Sequence, residues 1–295
     1  MKGEKKIQFL FGTGLIIFLG IVIVTGLFFL KEPPAETSQI KEREEKTDSA
    51  PKEGEKDTEK KADLKRLIFV IDDAGNNLYT LEPFLEFPGP LTIAVLPGLP
   101  YSVEAARRIR AAGKEPILHQ PMEALGGPPP GPGAIYTGMK AEEIRQILEH
   151  NLTEIGPVSG MNNHQGSKVT MDLEAMETIL KVCREQQVYF LDSRTTAESA
   201  AKRAADRLGM RIAERDVFLD NIQDREALLD SLREGLAKAD QQGIAIMIGH
   251  TRSSELAPIL KESYIELKSQ GYTFSTLAEL REAELREAEL GEAEK

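Results

Sequence analysis

The sequence predicts an α/β protein, a distorted (β/α) barrel of six or seven strands that is preceded by one transmembrane helix. Short runs rich in β-branched and aromatic residues alternate with amphipathic helical stretches, at about 25–40 residues per unit. This alternation indicates parallel strands joined by right-handed crossovers. About 215 residues of such units fit a closed or nearly closed barrel better than an open sheet, and an open doubly wound sheet is the alternative.

The N-terminus has the pattern of a membrane anchor, which we assign to residues 1–30. Lys2, Lys5 and Lys6 precede residues 9–30, which contain no charged residue and are long enough to cross a ~30 Å hydrocarbon core. The lysines favour a cytoplasmic N-terminus, so we expect a single-pass protein of the cell membrane with its barrel on the extracytoplasmic side. A cleavable signal peptide is the alternative, but its apolar region is shorter and residues 30–35 form a poor cleavage site.

Two further segments flank the predicted barrel, which we place at residues 65–280. Residues 31–64 are rich in Glu, Lys, Pro, Ser and Thr and lack apolar periodicity, which is typical of a disordered charged linker. From Leu277 onward the sequence repeats every five residues, so its leucines drift around any helix and form no stable seam. We interpret residues 281–295 as a solvated, low-complexity acidic tail.

Composition excludes several kinds of site. The net charge is −11 and no basic cluster interleaves with aromatic residues, which excludes a nucleic-acid surface. Cys183 is the only cysteine, so an intrachain disulfide and a cysteine-based zinc site are excluded as well. The composition leaves the oligomeric state open.

The predicted strands are apolar runs, and several of them end in polar residues. In chain order they cover residues 67–71, 91–96, 115–119, a short strand that begins at 158, and residues 188–192, 210–213 and 244–250, and residues 272–275 are a candidate for a final strand. Helical periodicity predicts a short helix or turn at 78–87 and helices at 102–112, 140–152, 172–186, 199–208, 224–242 and 254–269. The Pro/Gly-rich loop at 121–133 is too long for a simple turn and predicts a functional or mobile segment.

The first predicted strand ends at two adjacent carboxylates, Asp72 and Asp73. Polar residues at this end of a buried parallel strand lie where α/β folds place their chemistry, although aspartates that cap the next helix are the simpler alternative. Asp192 ends a later strand in the same way, which favours the functional interpretation. Neighbouring residues of a strand point to opposite faces, so Asp72 and Asp73 can share a site only where the strand ends.

Three of the four histidines follow the same pattern. His119 and His250 end predicted strands and His164 lies in a loop after a short strand, whereas His150 ends a helix and is interpreted as a surface residue. Each histidine alone is more simply a hydrogen-bonded structural residue. Three imidazoles on the same rim as the strand-end aspartates predict a metal site at the top of the barrel.

The types of ligand indicate the chemistry. Two imidazoles and one carboxylate with an open position suit Zn²⁺ or a similar divalent ion that lowers the pKa of a bound water towards ~7. A second carboxylate beside the ligand can orient this water or take its proton, and a histidine across the site can protonate a leaving group.

Several motifs resemble the polysaccharide deacetylase (NodB-homology) superfamily, and in particular its divergent branch, over roughly residues 65–280. Val70-Ile-Asp-Asp73 is similar to the family's Thr-Phe-Asp-Asp motif, and Ile248-Gly-His250 is similar to its late Leu-x-His motif. His119-Gln-Pro-Met-Glu123 is similar to the His-x-x-x-His metal pair, with Glu123 in place of the second histidine. The segments that look like the divergent branch are residues 162–167, 191–196 and 249–252.

This resemblance implies a metal-dependent hydrolase that removes acetyl groups from an acetylated polysaccharide of the cell envelope. It implies Asp72 as the general base, His250 as the general acid, and Asp73 and His119 as ligands of the metal, for which the ligand types favour Zn²⁺. The third ligand is either Glu123 or His164, and we favour His164 because its loop could fold over the metal. The additional candidates are Glu123, Asn163, Asp192 and Arg194.

Two other functions are weighed against the hydrolase. The family's arginine-and-proline motif is absent, so a catalytically weak or inactive relative that binds envelope glycan or a partner protein is the alternative. The chain has no Trp and few aromatic residues, which disfavours lectin-like binding. Phosphate-ester hydrolysis is disfavoured because the chain lacks a glycine-rich phosphate cradle.

Overall fold

The structure is a computed structural model that describes residues 65–293, with side chains described to residue 286. The predicted anchor at residues 9–30 and the predicted linker at residues 31–64 lie outside the described residues. Within residues 65–293, no helix is both long enough and apolar enough to cross a membrane.

Strands and helices alternate along the described chain. The strands are β1 (Lys65–Ala74), β2 (Thr92–Val95), β3 (Glu115–Met122), β4 (Gly160–Gln165), β5 (Tyr189–Asp192), β6 (Ala213–Glu214), β7 (Val217–Phe218), β8 (Ile244–His250) and β9 (Tyr272–Phe274). The helices are α1 (Glu82–Leu85), α2 (Ser102–Ala111), α3 (Ala141–Ile155), α4 (Leu173–Glu185), α5 (Ala201–Arg207), α6 (Arg225–Gln242), α7 (Leu256–Ser269) and α8 (Leu277–Ala293), with one turn of 3₁₀ helix at Val169–Met171.

The strands form one parallel sheet that curls into a β/α barrel. Eight strands follow each other in the order β6-β5-β4-β3-β2-β1-β8-β7, and β9 pairs with the start of β1. The two ends of this path, β6 and β7, are separated in the chain only by Arg215 and Asp216. The chain itself therefore bridges the two sheet edges, and the barrel is nearly closed rather than an open doubly wound sheet.

The structure differs from the predicted sheet in the number of strands and in the position of His164. Six or seven strands were predicted, whereas the described chain has nine, of which eight follow each other in the main path of the sheet. Strand β7 was missed because its two residues are too few for a periodic pattern. His164, which was predicted in a loop, lies within β4. The second half of β4 reads Asn-Asn-His-Gln, and a strand whose side chains line a polar site does not show the apolar run that marks a strand.

Alternation along β1 divides its side chains between two apolar layers. Ile68 and Val70 join the cluster inside the barrel, whereas Leu67, Phe69 and Ile71 pack with the surrounding helices. The same alternation places Asp72 on the inner face, at the carboxyl end of the strand. The buried strand therefore carries its first carboxylate into the mouth of the barrel.

Helix α6 illustrates how local sequence signals set the elements around the site. The side chain of Asp224 accepts a hydrogen bond from the Ala227 amide at 3.0 Å, which caps the first turn. Gly243 follows the last turn with a φ of 83°, a left-handed conformation that glycine adopts without steric cost. The prediction of a helix at 224–242 that ends before Gly243 is confirmed, and β8 begins directly after it.

Helix α8 covers the end of the barrel opposite the rim of strand carboxyl ends. Leu277 is 2% exposed and joins the inner apolar cluster, and Leu280 packs against that cluster. Leu285 is 53% exposed, since a five-residue repeat turns each successive leucine away from the preceding one. Residues 281–293 of the predicted tail are thus helical in the structure, and the first turn of α8, which precedes them, packs on the barrel.

Candidate metal centre

The carboxyl ends of four strands bring the predicted site residues to one rim of the barrel. In the sheet register, Asp72 of β1 lies opposite His250 of β8. His119 of β3 lies opposite Asn162 of β4, and His164 lies two residues further along β4. Parallel strands place these ends at the same edge, so residues that are far apart in sequence become neighbours.

An irregularity at the end of β1 allows Asp72 and Asp73 to share the site. The pairing of β1 with β2 shifts register between Ile71 and Ala74, and Asp73 has a φ of 68°. Regular strand geometry would direct Asp73 to the opposite face from Asp72. The left-handed residue interrupts this alternation, and strain of this kind persists where surrounding structure holds it. The Thr251 amide supports the turn by donating to the Asp72 carbonyl at 3.0 Å.

Asp73, His119 and His164 form a compact group of three ligand atoms. His119 Nε2 lies 3.3 Å from Asp73 Oδ1, and His164 Nδ1 lies 3.1 Å from the same oxygen. The two ring nitrogens are 3.1 Å apart. Ligand atoms at ~2.0–2.1 Å from a tetrahedral zinc ion are themselves about 3.3–3.4 Å apart. The three atoms therefore have the spacing of ligands that face one small cation.

Asn162 determines which nitrogen of His119 faces this group. The Asn162 amide nitrogen donates to Asp72 Oδ1 at 2.9 Å, so its carbonyl oxygen is directed at His119 Nδ1, 2.7 Å away. An amide oxygen can only accept, and Nδ1 must therefore carry a proton. In the neutral ring, Nε2 then presents its lone pair to Asp73 and His164, which is the tautomer that binds a metal.

The shared oxygen of Asp73 has the property expected of a metal ligand. Asp73 Oδ1 is buried and makes no hydrogen bond among the described residues. A buried carboxylate oxygen without a partner costs free energy, and a cation at a point shared with the two imidazoles would remove that cost. Arg252 forms an ion pair with the other oxygen, Oδ2, so the Asp73 side chain is held in place. The residues present fit a divalent cation.

The two carboxylates differ in their tendency to hold a proton. Burial raises the pKa of Asp72, and the neighbouring His119 and His250 offset only part of this effect. Burial also raises the pKa of Asp73, but the imidazoles of His119 and His164 outweigh it and hold that pKa well below its usual range. Asp73 is therefore a carboxylate, whereas Asp72 has the raised pKa that suits a group that takes up a proton.

The pKa of His119 is subject to opposing effects of burial and of neighbouring carboxylates. Burial lowers its pKa, but Asp72 and Asp73 raise it, and the net result is a raised pKa. A proton and a metal ion therefore compete for Nε2, since a metal binds only the unprotonated nitrogen.

His250 is oriented by an aspartate that the sequence analysis did not identify. Asp220 is 3% exposed, and its Oδ1 lies 2.8 Å from His250 Nδ1. Its other oxygen accepts from the His250 amide at 2.9 Å. Phe218 stacks on the imidazole at a centroid distance of 6.0 Å. Asp220 therefore holds the ring through Nδ1, and Nε2 is the nitrogen that is left for another partner. In the sequence, Asp220 could be identified only as a carboxylate that follows a strand, and that strand, β7, was not recognised because it has two residues.

The additional candidates have partners outside the group of ligand atoms. Glu123 accepts from the Thr137 amide at 2.9 Å and from Lys168 Nζ at 2.7 Å, so it joins two loops. Asp192 accepts from Ser199 Oγ at 2.6 Å and from the Arg194 amide at 2.8 Å. The Arg194 side chain forms an ion pair with Glu214 at 2.6 Å.

Asn163 also supports a loop rather than the ligand group. Its side-chain oxygen accepts from the Ser193 amide at 2.8 Å. The structure therefore brings Asn162, and not the candidate Asn163, into contact with Asp72 and His119. The two asparagines are adjacent in a strand, so their side chains point to opposite faces, and the sequence alone did not indicate which of them faces the site.

Comparison with known proteins gives two bacterial relatives at about 30% identity. The uncharacterized protein YibQ of Escherichia coli (strain K12) is 32% identical over 185 residues, which are 63% of this chain and 58% of YibQ. An uncharacterized protein of Haemophilus influenzae is 29% identical over 192 residues, which are 65% of this chain and 69% of that protein. The chain thus spans less than two thirds of YibQ.

A solved structure and a family profile complete the comparison. The crystal structure of an uncharacterized protein from Agrobacterium tumefaciens C58 has a TM-score of 0.69 at 21% identity, over 73% of this chain and 88% of that protein, and therefore shares the fold. Residues 69–281 match the profile of the divergent polysaccharide deacetylases. This match includes β1 from Phe69 onward, with its two carboxylates, and β8, with His250. The chain belongs to the divergent polysaccharide deacetylase family.

Proposed function

We propose that this protein is a membrane-anchored, metal-dependent hydrolase that removes acetyl groups from an acetylated polysaccharide of the cell envelope. The observation that carries the proposal is the convergence of the His119 and His164 imidazoles on a buried, unpaired carboxylate oxygen of Asp73. Family membership supports the reaction class, and the donor set of two imidazoles and one carboxylate favours Zn²⁺.

Asp73, His119 and His164 would hold the ion. When bound, the ion polarises the acyl carbonyl group and lowers the pKa of water in the site. Asn162 keeps His119 in the tautomer that this requires, and Arg252 fixes the second oxygen of Asp73. These contacts hold the ligands in place before any ion or substrate arrives.

Asp72 is the general base of the proposed reaction. Its Oδ2 lies 3.6 Å from His119 Nε2, which places the carboxylate at the edge of the ligand group. Its other oxygen is occupied by the Asn162 amide, so Oδ2 is the one that can receive a proton. As the water oxygen bonds to the acyl carbon, the water proton passes to Asp72. The pKa of Asp72, which burial raises, favours this uptake.

His250 is the general acid. Asp220 occupies its Nδ1 and leaves Nε2 for the substrate. When the tetrahedral intermediate collapses, the bond between the acyl carbon and the sugar nitrogen or oxygen breaks, and His250 gives its proton to that leaving atom. The products are acetate and the free amine or hydroxyl group of the sugar. Asp72 and His250 are register partners on neighbouring strands, which suits their action in one site.

The proposed location depends on residues 9–30. Full-length protein should fractionate with membranes, and its barrel should be accessible to protease from the extracytoplasmic side, because this apolar stretch is long enough to span. N-terminal sequencing of protein from cells checks the anchor. A mature N-terminus beyond residue 30 would show a cleaved signal peptide instead.

The chemical proposal is tested with purified full-length protein by metal analysis and by acetate release from acetylated envelope glycans. Asp72→Asn should keep its metal and lose activity by about 10²–10⁴-fold, because the amide preserves shape but cannot take a proton. Asp206→Asn, at a side chain that is 63% exposed, is the matched control and should leave both readouts unchanged. Full activity in Asp72→Asn would eliminate this mechanism.

The same experiment separates the hydrolase from its alternative. Wild-type protein that binds one metal ion per chain but releases no acetate from any acetylated glycan would favour a binding module. Protein that binds no metal would remove the metal centre from consideration.

A further inference from the structure

A cavity of about 210 Å³ opens beside the candidate metal centre, on the side of the β2–α2 and β3–α3 loops. Asp73, His164 and Asn76 supply its polar atoms near the ligand group. The rest of the wall consists mainly of proline and leucine side chains: Leu96, Pro97, Leu99, Pro121, Pro130 and Pro132. The cavity is therefore polar where it meets the metal ligands and apolar beyond them.

The β2–α2 and β3–α3 loops form the apolar wall, and they contact each other. The Gly98 amide lies 3.0 Å from both carboxylate oxygens of Glu154 on α3. A Cβ at Gly98 would come within 2.5 Å of Pro132 Cβ, so the two loops touch at a glycine whose φ is +68°. Only glycine permits both this backbone conformation and this close approach.

A buried pair of amide side chains fixes the proline loop from below. The Gly133 carbonyl accepts from Gln120 Nε2 at 2.8 Å and from Asn151 Nδ2 at 2.9 Å. Asn151 Nδ2 also donates to Gln120 Oε1 at 2.8 Å, and both side chains are at most 1% exposed. Buried hydrogen bonds of this kind specify one conformation. The Pro/Gly-rich loop therefore has one fixed conformation and forms this wall of the cavity before any ligand binds.

The chemistry of this wall selects its occupant. Proline has no backbone N–H, and neither proline nor leucine side chains can hydrogen-bond to hydroxyl groups. No aromatic side chain lines the cavity among the described residues, so it lacks a platform for a sugar ring. A sugar placed against the proline and leucine side chains would lose hydrogen bonds to water and find few replacements. A hydrocarbon group would lose none.

We infer that this cavity binds the acyl chain of the substrate and accepts straight chains longer than acetyl. The inference rests on the proposed function, because the acyl carbon must lie at the ligand group for its chain to enter the cavity. A methyl group is similar in size to a water molecule, whose share of liquid volume is ~30 Å³, so an acetyl methyl would fill only a small part of 210 Å³. The substrate class then extends from acetyl to short and medium straight-chain acyl groups, held as esters or amides on a polysaccharide.

The inference is tested first by binding rather than by turnover. Acetate, butyrate and hexanoate are titrated calorimetrically into the Zn²⁺-loaded full-length protein. We expect the affinity to rise by about fourfold per added methylene group, the factor that corresponds to ~0.8 kcal/mol of buried CH₂. Equal affinities along the series, a weaker affinity for hexanoate than for acetate, or no measurable binding of any member would overturn the inference.

A pair of leucine substitutions ties the effect to the cavity. Leu99→Phe narrows the cavity without changing the backbone contact between the Leu99 amide and Ser102 Oγ, which is 2.9 Å long. It should bring the ratio of hexanoate to acetate affinity close to one. The matched control is Leu125→Phe, at a side chain that is 63% exposed, and it should keep the wild-type ratio. Identical ratios in the two variants would overturn the inference.

Turnover separates failure of this inference from failure of the proposed function. Hydrolysis of acetyl esters with no preference for longer acyl chains would leave the hydrolase intact and overturn the acyl-chain cavity. Chain-length-dependent carboxylate binding without hydrolysis of any ester or amide would support the cavity as a binding site and overturn the proposed activity.

Discussion

Two buried carboxylates at opposite ends of the barrel differ in how completely their oxygens are paired. Glu115, at the end covered by α8, accepts from Tyr189 Oη at 2.8 Å and from Thr92 Oγ1 at 2.6 Å. It also accepts from Ser159 Oγ and from the Ala278 amide, at the first turn of α8. Asp73, at the open rim, has one oxygen that makes no hydrogen bond among the described residues.

The difference separates a structural carboxylate from a functional one. Buried polar groups are nearly always paired, because an unpaired group costs roughly 1–3 kcal/mol. Glu115 meets this rule with four donors and, through Ala278, satisfies a free amide at the N-terminus of α8. Asp73 violates it next to two imidazoles. The violation is informative because a cation can relieve it, whereas nothing further can be added at Glu115.

Removal of the Asp73 side chain should have the largest effect. Asp73→Ala eliminates the oxygen that both imidazoles approach, so we expect metal affinity to fall by more than the ~10–100-fold that a change in a supporting residue costs. In wild-type protein, Zn²⁺ at 100 times its Kd should add about 2.7 kcal/mol to the free energy of unfolding, which raises Tm by about 5–10 °C. This rise should disappear in Asp73→Ala.

Calorimetric titration with Zn²⁺ and thermal melting check this prediction. Asp230→Ala, at a side chain that is 67% exposed on α6, is the control and should retain the full rise in Tm. An undiminished rise in Asp73→Ala would mean that the unpaired oxygen is not a ligand, and the contrast between the two ends of the barrel would then have no functional meaning.

A smaller effect is expected from Asp220, which acts through His250. Asp220→Asn keeps the size of the side chain but removes the carboxylate that fixes the ring through Nδ1. We expect kcat to fall by about 10²-fold, the low end for general acid–base groups, while KM and metal content remain close to wild type. A loss of metal equal to the loss of activity would show that Asp220 supports the fold of the rim rather than His250.

The elements that the sequence predicted best are those whose side chains are apolar on both faces. Strands β1 and β8 are continuous apolar runs that end in Asp72 and His250, so both the strands and the chemistry at their ends were visible. Because parallel strands end at one edge, the convergence of Asp73, His119 and His164 could be expected before any coordinates. The assignment of base, acid and ligand roles stays a prediction.

The parts that the sequence could not show depend on partners distant in the chain. Asn162 and Asn163 look alike in sequence, and only the pairing of β4 with its neighbours determines that Asn162 bridges Asp72 and His119. Asp220 follows a two-residue strand that leaves no periodic signal. Arg252 reaches Asp73 across 179 positions of sequence. Such contacts arise from closure of the barrel and have no local signature.

The substitution Glu115→Gln tests the contrast between Glu115 and Asp73 at the end of the barrel that α8 covers, and it should have the smallest effect on function. The amide places an N–H₂ group where two hydroxyls and a backbone N–H now donate, so at least one donor loses its partner. We expect the free energy of unfolding to fall by roughly 1–3 kcal/mol, measured by urea denaturation. Metal affinity and the Zn²⁺-induced rise in Tm should be unchanged, because the ligand group lies at the opposite end of the barrel.

Glu142→Gln on α3, an exposed position, is the matched control and should leave both quantities at wild-type values. If Glu115→Gln were as stable as this control, complete pairing of a buried carboxylate would not contribute to stability here. If it lost the Zn²⁺-induced rise, the two ends of the barrel would be coupled, and pairing at one end could not be interpreted independently of ligand binding at the other.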